Sequence, residues 1–344
     1  MKDWLRRRAN GLYWAGRNLA DFLGRMSEPF TTRMRRQLAL LRNRRRNFRH
    51  ELAACTMFRN EAAYLDEWIT FHRGVGVQHF YLYNNGSTDN FREVLEPWIR
   101  RGVVTLRDWH KEGGQVGAFN DCIRRFRMQS RWIAFLDADE FLFSPENRDL
   151  REVLPRYEGH PAIFVYWVLF GSGGHTKRPE GSVIENYRRC LDLETAKSDE
   201  FPHGDALHHP ETYVTGWAKD GKSIANPRLV KKYFVHQPQE VWHGVVIDEK
   251  FRPHLRRMPG TVDLSCSVFR INHYWSKSIE EITHKVMKGN ACWEIKPQAR
   301  LERWLHRESF LNRTADDTLR EMWREIRREE CGAASPPRTA PDFA

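Results

Sequence analysis

Several features that would assign this chain to a common class of protein are absent from its sequence. The six cysteines are scattered and include no CxxC pair, which argues against a zinc ribbon and suits free thiols in a reducing compartment. No apolar run approaches the roughly 20 residues of a membrane-spanning helix, and no apolar segment follows the basic N-terminus as it would in a secretory signal. We therefore expect a cytoplasmic protein.

Positive charge is concentrated at the N-terminus. Residues 1–50 contain 14 of the 56 Lys and Arg and three of the 45 acids, so they carry the whole net charge of +11. Leu5, Leu12 and Leu19 recur at heptad spacing among these arginines and predict an amphipathic helical arm. Such an arm could lie on an anionic membrane surface, placing the protein peripherally at the inner membrane face. Alternatively, it packs on the body of the protein or on a partner.

Strands and helices alternate from residue 51 onward. The predicted strands cover residues 52–58, 78–83, 103–106 and the apolar run that begins at 132. Amphipathic segments between them predict helices. This order predicts an α/β fold with a mostly parallel, open, Rossmann-like sheet and flanking helices. In sheets of this kind, ligands bind beyond the carboxyl ends of the strands.

Three carboxylates follow the fourth predicted strand, in the order Asp137-Ala-Asp139-Glu140. On an extended backbone, Asp137 and Asp139 would point to the same side. Clustered carboxylates repel one another unless a cation lies between them, and hard oxygen ligands suit Mn2+ or Mg2+ when a diphosphate completes the shell. We predict that Asp137 and Asp139 bind such a metal. The alternative is that these acids cap a turn or a helix.

Two histidines are further candidate metal ligands. His236 and His273 each follow an apolar run, which predicts that their rings lie at the rim of the sheet. Either could complete a metal site from the far side, although a single histidine is more often structural.

Short polar side chains follow the first two predicted strands. The segment Asn84-Asn-Gly-Ser-Thr-Asp89 could bind a base or a ribose, and Asn60-Glu61 opens the helix after the first strand. The simpler interpretation is an ordinary Asn-Gly turn and a helix N-cap.

Taken in order, these motifs resemble those of a known enzyme family. The segments 58–61, 83–90 and 135–141 look like the core motifs of family 2 glycosyltransferases, and more narrowly of the family 92 relatives. Residues 167–175, Lys222 with Pro227, and Ile271-Asn-His-Tyr274 also resemble the narrower group. The resemblance spans about residues 52–290. Family 2 usually has acids where this chain has Asn84 and Asn85.

The resemblance implies a fold and a reaction. It implies a glycosyltransferase A fold, which places the catalytic domain at 51–290. After that domain, the residue pattern predicts C-terminal helices at 291–331, and residues 332–344, rich in Ala, Pro and Ser, are expected to form a disordered tail. The resemblance also implies transfer of a hexose from a nucleotide-sugar donor, most simply UDP-linked, to a glycan or glycolipid acceptor. Asp139 would hold Mn2+ at the donor diphosphate. The residues expected to contact the donor are Asn60, Glu61, Asn85, Ser87, Asp89, Gln115, Asn120 and Asp137.

Inversion at the anomeric carbon would need a carboxylate that deprotonates the acceptor hydroxyl. Glu185, which follows a glycine-rich loop, and Asp205 are the candidates. Two other functions stay open at this point. A phosphohydrolase of the haloacid dehalogenase type also places Asp-x-Asp after an apolar strand, and the basic arm could bind nucleic acid. The neutral body argues against nucleic acid as a partner.

Overall fold

The computed structural model describes residues 47–111, 114–192, 220–254 and 264–287, and then residues 301–302, 305, 308 and 310–333. The predicted arm lies outside this range except for its last four residues. Among the described residues, no helix combines the length and the apolar character that crossing a membrane requires.

The strands and helices follow the predicted alternation. The strands are His50–Phe58 (β1), His79–Asn84 (β2), Val104–Asp108 (β3), Ser130–Phe135 (β4), Glu140–Phe143 (β5), Ala162–Leu169 (β6), Arg189–Cys190 (β7), Gly221–Ala225 (β8), Val230–Tyr233 (β9), Pro238–Val241 (β10), Arg270–His273 (β11) and Thr314–Ala315 (β12). The helices are Ala62–Gly74 (α1), Phe91–Arg100 (α2), Gln115–Phe126 (α3), Leu150–Val153 (α4), Val183–Asn186 (α5), Ile279–Met287 (α6) and Thr318–Ala333 (α7).

In the described part of the chain, eight strands form one sheet in the order β3-β2-β1-β4-β8-β6-β11-β5. β3, β2, β1 and β4 run parallel to one another, and β6 and β11 are parallel as well. In contrast, β8 runs antiparallel to its neighbours β4 and β6, and β5 runs antiparallel to β11. The predicted α/β class with a mostly parallel sheet is confirmed.

Burial explains why these segments form these elements. All residues of β2 and β6 are buried, and so are all residues of β4 apart from Arg131. Such burial is expected of strands that are covered by helices on both faces of the sheet. Leu65, Trp68 and Ile69 recur at helical spacing and form the buried face of α1. Trp68 also donates a hydrogen bond of 2.8 Å from Nε1 to the carbonyl oxygen of Glu140, so α1 contacts the acidic motif directly.

The acidic motif does not have the extended backbone that the sequence predicts. β4 ends at Phe135 and β5 begins at Glu140, and the amide of Glu140 donates to the carbonyl oxygen of Asp137 at 3.1 Å. The four residues between the strands form a turn, because the chain reverses direction before it enters β5. The prediction that Asp137 and Asp139 project from one side of an extended strand is therefore wrong.

Candidate functional site

Residues 136–139, called the acidic turn below, lie at the carboxyl ends of the parallel strands. The amide of Leu136 donates to the carbonyl oxygen of Cys55 in β1 at 3.0 Å, and the amide of Tyr274, just after β11, donates to that of Asp139 at 2.9 Å. His273 is the register partner of Glu140. These backbone contacts bring the predicted acids and one predicted histidine to the same edge of the sheet.

Asp139 is nearly enclosed and lies among cationic and imidazole groups. Its side chain is 10% exposed, Lys285 of α6 is ion-paired to Oδ2, and His273 Nε2 lies 3.6 Å from Oδ1. Burial by itself would raise the pKa of Asp139, but Lys285 and His273 outweigh it and hold that pKa well below its usual range. Asp139 is therefore a carboxylate at neutral pH.

The chemistry of Asp139 and His273 fits a divalent cation. Burial lowers the pKa of His273 in spite of the nearby carboxylate, so its imidazole is neutral and can act as a ligand. The described residues contain no group of three or more His, Cys, Asp or Glu side chains arranged to hold a metal. A cation bound here would therefore take most of its ligands from phosphate and water oxygens, as Mg2+ commonly does.

Asp137 has different neighbours from Asp139. Lys222 Nζ lies 2.9 Å from Asp137 Oδ2, and Gln115 Nε2 donates to Oδ1 at 2.5 Å. Lys222 is fully buried and belongs to β8. The close approach of β8 to β6 requires glycine at position 221, because a Cβ atom there would overlap the carbonyl oxygen of Val165. Gln115 opens α3. Two separate elements, β8 and α3, thus fix the orientation of this carboxylate.

Glu140 is the most deeply buried of the three acids. Its side chain is fully buried, and Oε1 is 4.0 Å from Lys222 Nζ. Burial raises the pKa of Glu140 well above its usual range, with Lys222 opposing only in part. Burial disfavours the charged form of Lys222, yet Asp137 and Glu140 together raise its pKa. The group therefore combines a Lys222–Asp137 ion pair with a fully buried Glu140 whose pKa is raised.

A third lysine, Lys277, interacts electrostatically with Asp139. Lys277 has a left-handed backbone conformation (φ 52°). Its Nζ lies 3.3 Å from the centre of the Tyr64 ring and 3.8 Å from Glu61 Oε2. Burial lowers the pKa of Lys277, while Glu61 and Asp139 act in the opposite direction. Lysines at 222, 277 and 285 thus surround the acidic turn, which suits an anionic ligand.

The loops after β1 and β2 are joined by the side chains that were predicted to contact a nucleotide. The amide of Asn60 donates to Ser87 Oγ at 2.9 Å, and the amide of Thr88 donates back to Asn60 Oδ1 at 2.7 Å. Asp89 Oδ2 accepts from the amide of Ala62 at 2.8 Å. These groups at least shape the loops, and direct contact with a nucleotide stays a prediction.

Two asparagines that were predicted to contact the donor, Asn85 and Asn120, form hydrogen bonds with backbone groups of neighbouring segments. Asn85 Nδ2 donates to the carbonyl oxygens of Trp109 and Lys111 at 2.8 and 3.0 Å. Asn120 exchanges two hydrogen bonds with the backbone of Tyr233, at 2.8 and 2.9 Å. Asn85 therefore links the loops after β2 and β3, and Asn120 fixes α3 to β9.

Two of the remaining predicted residues, His236 and Glu185, make contacts away from Asp139. His236 Nδ1 is 2.8 Å from the carbonyl oxygen of Gly221 and 3.3 Å from Asp220 Oδ1, next to the strand that carries Lys222. Glu185 is partly exposed and lies 3.5 Å from Arg324 of α7. Asp205 lies outside the described residues. A role for each of these as ligand or base stays a prediction.

Sequence reasoning missed Lys285 and Lys277. Neither belongs to a recognisable spacing pattern, because both reach the acidic turn from the segment after β11. Lys285 is 146 residues from Asp139 along the chain. The only available signal was that this segment follows the His-Tyr end of β11, which was itself expected near the site.

Comparison with known proteins decides the family. The sequence model of glycosyltransferase family 92 matches residues 50–302. The chain belongs to glycosyltransferase family 92. The match covers β1 to α6 and includes all the side chains that surround the acidic turn. It confirms the resemblance and decides against the phosphohydrolase alternative.

Curated relatives of this family 92 protein are longer than the chain itself. A family 92 protein of Oryza sativa subsp. japonica is 38% identical over 209 residues, covering 59% of this chain and 35% of the relative. Galactan beta-1,4-galactosyltransferase GALS2 of Arabidopsis thaliana is 35% identical over 102 residues, covering 27% of this chain and 20% of the relative. The chain thus spans about a third or less of these relatives. Among solved structures, S. aureus TarS (residues 1–349) is similar with a TM-score of 0.36 and 9% identity, over 76% of this chain and 72% of that one.

Proposed function

We propose that this family 92 protein transfers a hexose, most simply galactose, from a UDP-sugar to a hydroxyl group of a glycan or glycolipid acceptor. The observation that carries the proposal is the acidic turn at the carboxyl ends of the strands, where Asp139 and His273 face each other across 3.6 Å among lysines. Galactose is chosen because GALS2 and GALS3 of Arabidopsis thaliana, both named as galactan beta-1,4-galactosyltransferases, are 35% and 36% identical to this chain over 102 residues each.

Asp139 and His273 would hold Mn2+ or Mg2+. When bound, such a cation neutralises the charge that develops on the departing diphosphate. Asp139 suits this role because its carboxylate is ionised, largely enclosed and oriented by a backbone hydrogen bond at each end of the turn. A preorganised charge in a poorly hydrated site is worth more than the same charge in water.

Asp137 would contact the donor on the nucleoside side. Lys222 and Gln115 hold its carboxylate in one orientation, so it can accept hydrogen bonds from a ribose without rearranging. Fixing the donor in this way lowers the entropy that must be lost at the transition state.

The acceptor hydroxyl would attack the anomeric carbon from the side opposite the diphosphate, with inversion. A carboxylate has to accept the proton in that step. Glu185 and Asp205 stay the candidate bases, and Glu185 lies 3.5 Å from Arg324.

Binding of donor and metal tests the proposal directly. We expect UDP-galactose with Mn2+ to raise the Tm of the protein, and EDTA to abolish most of that shift. At a donor concentration about 100 times Kd the stabilisation is about 2.7 kcal/mol. The Asp139→Ala variant should show no metal-dependent shift, whereas Asp317→Ala should respond like the parent, because Asp317 pairs with Arg188 at an exposed position.

Two outcomes would contradict different parts of the proposal. An equal donor shift in EDTA would show that the cation is not required. If no UDP-sugar stabilises the protein, and mass spectrometry detects no sugar transfer to galacto-oligosaccharides or to other glycans, the proposed reaction is wrong.

A further inference from the structure

Lys285 differs from the other two lysines at the acidic turn. Lys222 is fully buried and held by Asp137, and Lys277 is 8% exposed between Tyr64 and Glu61. Lys285 is 30% exposed and belongs to α6, beyond the sheet. Its amine can therefore move without breaking the packing of the core.

The contacts of Lys285 place its amine where a metal would bind. Nζ is ion-paired to Asp139 Oδ2 and lies 3.3 Å from the carbonyl oxygen of Trp275. The Trp275 ring centre is 4.4 Å from Nζ, so the indole supports the ammonium group. A divalent cation on Asp139 would repel this ammonium, because two like charges would share one carboxylate in a largely enclosed site.

A diphosphate that arrives with the cation gives the displaced amine a new partner. Phosphate oxygens are strong acceptors for lysine, which binds them as a mobile point charge rather than in a fixed fork. The Trp275 ring, whose centre is 4.4 Å from Nζ, gives the displaced side chain a neighbouring surface to pack on. Another acceptor within reach of the amine is the carbonyl oxygen of Trp275, which is neutral and forms a weaker hydrogen bond with an ammonium group than a phosphate oxygen does.

We infer that Lys285 exchanges partners during donor binding: it neutralises Asp139 in the free protein and contacts the donor diphosphate in the complex. This inference rests on the proposed function and adds a positioning residue that the acidic motif does not include. It predicts effects of opposite sign when the charge of Lys285 is removed. Metal binding alone should become tighter, whereas nucleotide binding in the presence of metal should become weaker.

Two titrations measure these effects on the full chain. Binding of Mn2+ alone is followed by the electron paramagnetic resonance signal of the free ion, and binding of UDP at saturating Mn2+ by calorimetry. For Lys285→Gln we expect the Kd for Mn2+ to fall, and the Kd for UDP to rise about 10- to 100-fold, the value of one charge-assisted hydrogen bond. Lys285→Met, which retains the apolar stem over Trp275, repeats both titrations if the glutamine variant does not fold.

Two further variants show whether the charge itself is responsible. Lys285→Arg keeps a cation and should bind UDP far more tightly than Lys285→Gln. His284→Gln changes the neighbouring exposed residue of α6 and should match the parent in both titrations.

The outcomes separate this inference from the proposed function. If the parent binds Mn2+ and UDP and the Lys285 variants bind both equally well, the partner exchange is wrong and the proposed function stands. Weakening of both ligands in parallel would indicate a merely structural lysine and would also overturn the inference. If the parent binds neither Mn2+ nor UDP, both proposals fail.

Discussion

Replacing Asp139 with asparagine is expected to lower kcat for sugar transfer at least about 1,000-fold, because a metal site contributes several kcal/mol of charge stabilisation in the transition state. An amide keeps the shape of the side chain but lacks the charge that holds the cation. It also leaves Lys285 and His273 without their shared anionic partner. Initial rates at saturating UDP-galactose and Mn2+ provide the measurement.

Loss of folding has to be separated from loss of chemistry in this variant. Circular dichroism and thermal melting show whether Asp139→Asn is folded at the assay temperature. Asp317→Asn serves as the matched control, since its ion pair with Arg188 is exposed on both sides and exposed pairs contribute little. An asparagine variant that is folded and retains a tenth or more of the parental kcat would show that Asp139 does not act through a metal.

Replacing Lys222 with methionine is expected to lower the free energy of unfolding by about 1–3 kcal/mol, the cost of leaving a charged group without its hydrogen-bond partner when that group is one-third exposed. Lys222 is fully buried and is the cationic partner of Asp137 at 2.9 Å. Methionine fills a similar volume but leaves that carboxylate without its counter-charge, with Gln115 and partial exposure to solvent as its remaining stabilisation. Urea denaturation measures the change.

A double-mutant cycle identifies the cause of this loss. Lys222→Met combined with Asp137→Asn removes both charges, so it should lose less stability than the sum of the single variants. Lys231→Met is the control, because the pair of Lys231 with Glu240 is exposed (52% and 45%) and should contribute less than about 1 kcal/mol. If Lys222→Met unfolds at the same urea concentration as Lys231→Met, the ion pair does not stabilise the fold.

The main features of the fold were predictable because they depend on local patterns. Alternation of apolar strands and amphipathic helices is set by residues close together in the chain, and β1, β2 and β4 lie within a residue or two of their predicted positions. The acidic motif was also recognisable locally, since carboxylates seldom follow a buried strand without a partner. That reasoning led correctly to the carboxyl edge of the sheet.

The prediction failed where a local pattern allowed two conformations. Asp137 and Asp139 suit an extended strand as well as a turn, and only the pairing of β5 with β11 at the far edge of the sheet makes the chain reverse. Asn60 and Ser87 suit nucleotide contact as well as hydrogen bonding between loops. The amide of Asn60 donates to Ser87 Oγ, and contact of either residue with a nucleotide stays a prediction.

By itself, the sequence determined the α/β class, the edge of the sheet where the acidic turn lies, and the acids and histidine that meet there, because hydrophobic periodicity and strand ends are local properties. Tertiary structure alone decided the partners of those acids. Lys222 arrives on an antiparallel strand inserted between β4 and β6, and Lys285 arrives on a helix after β11. No spacing along the chain encodes such contacts, because they arise only when distant elements pack against the same turn.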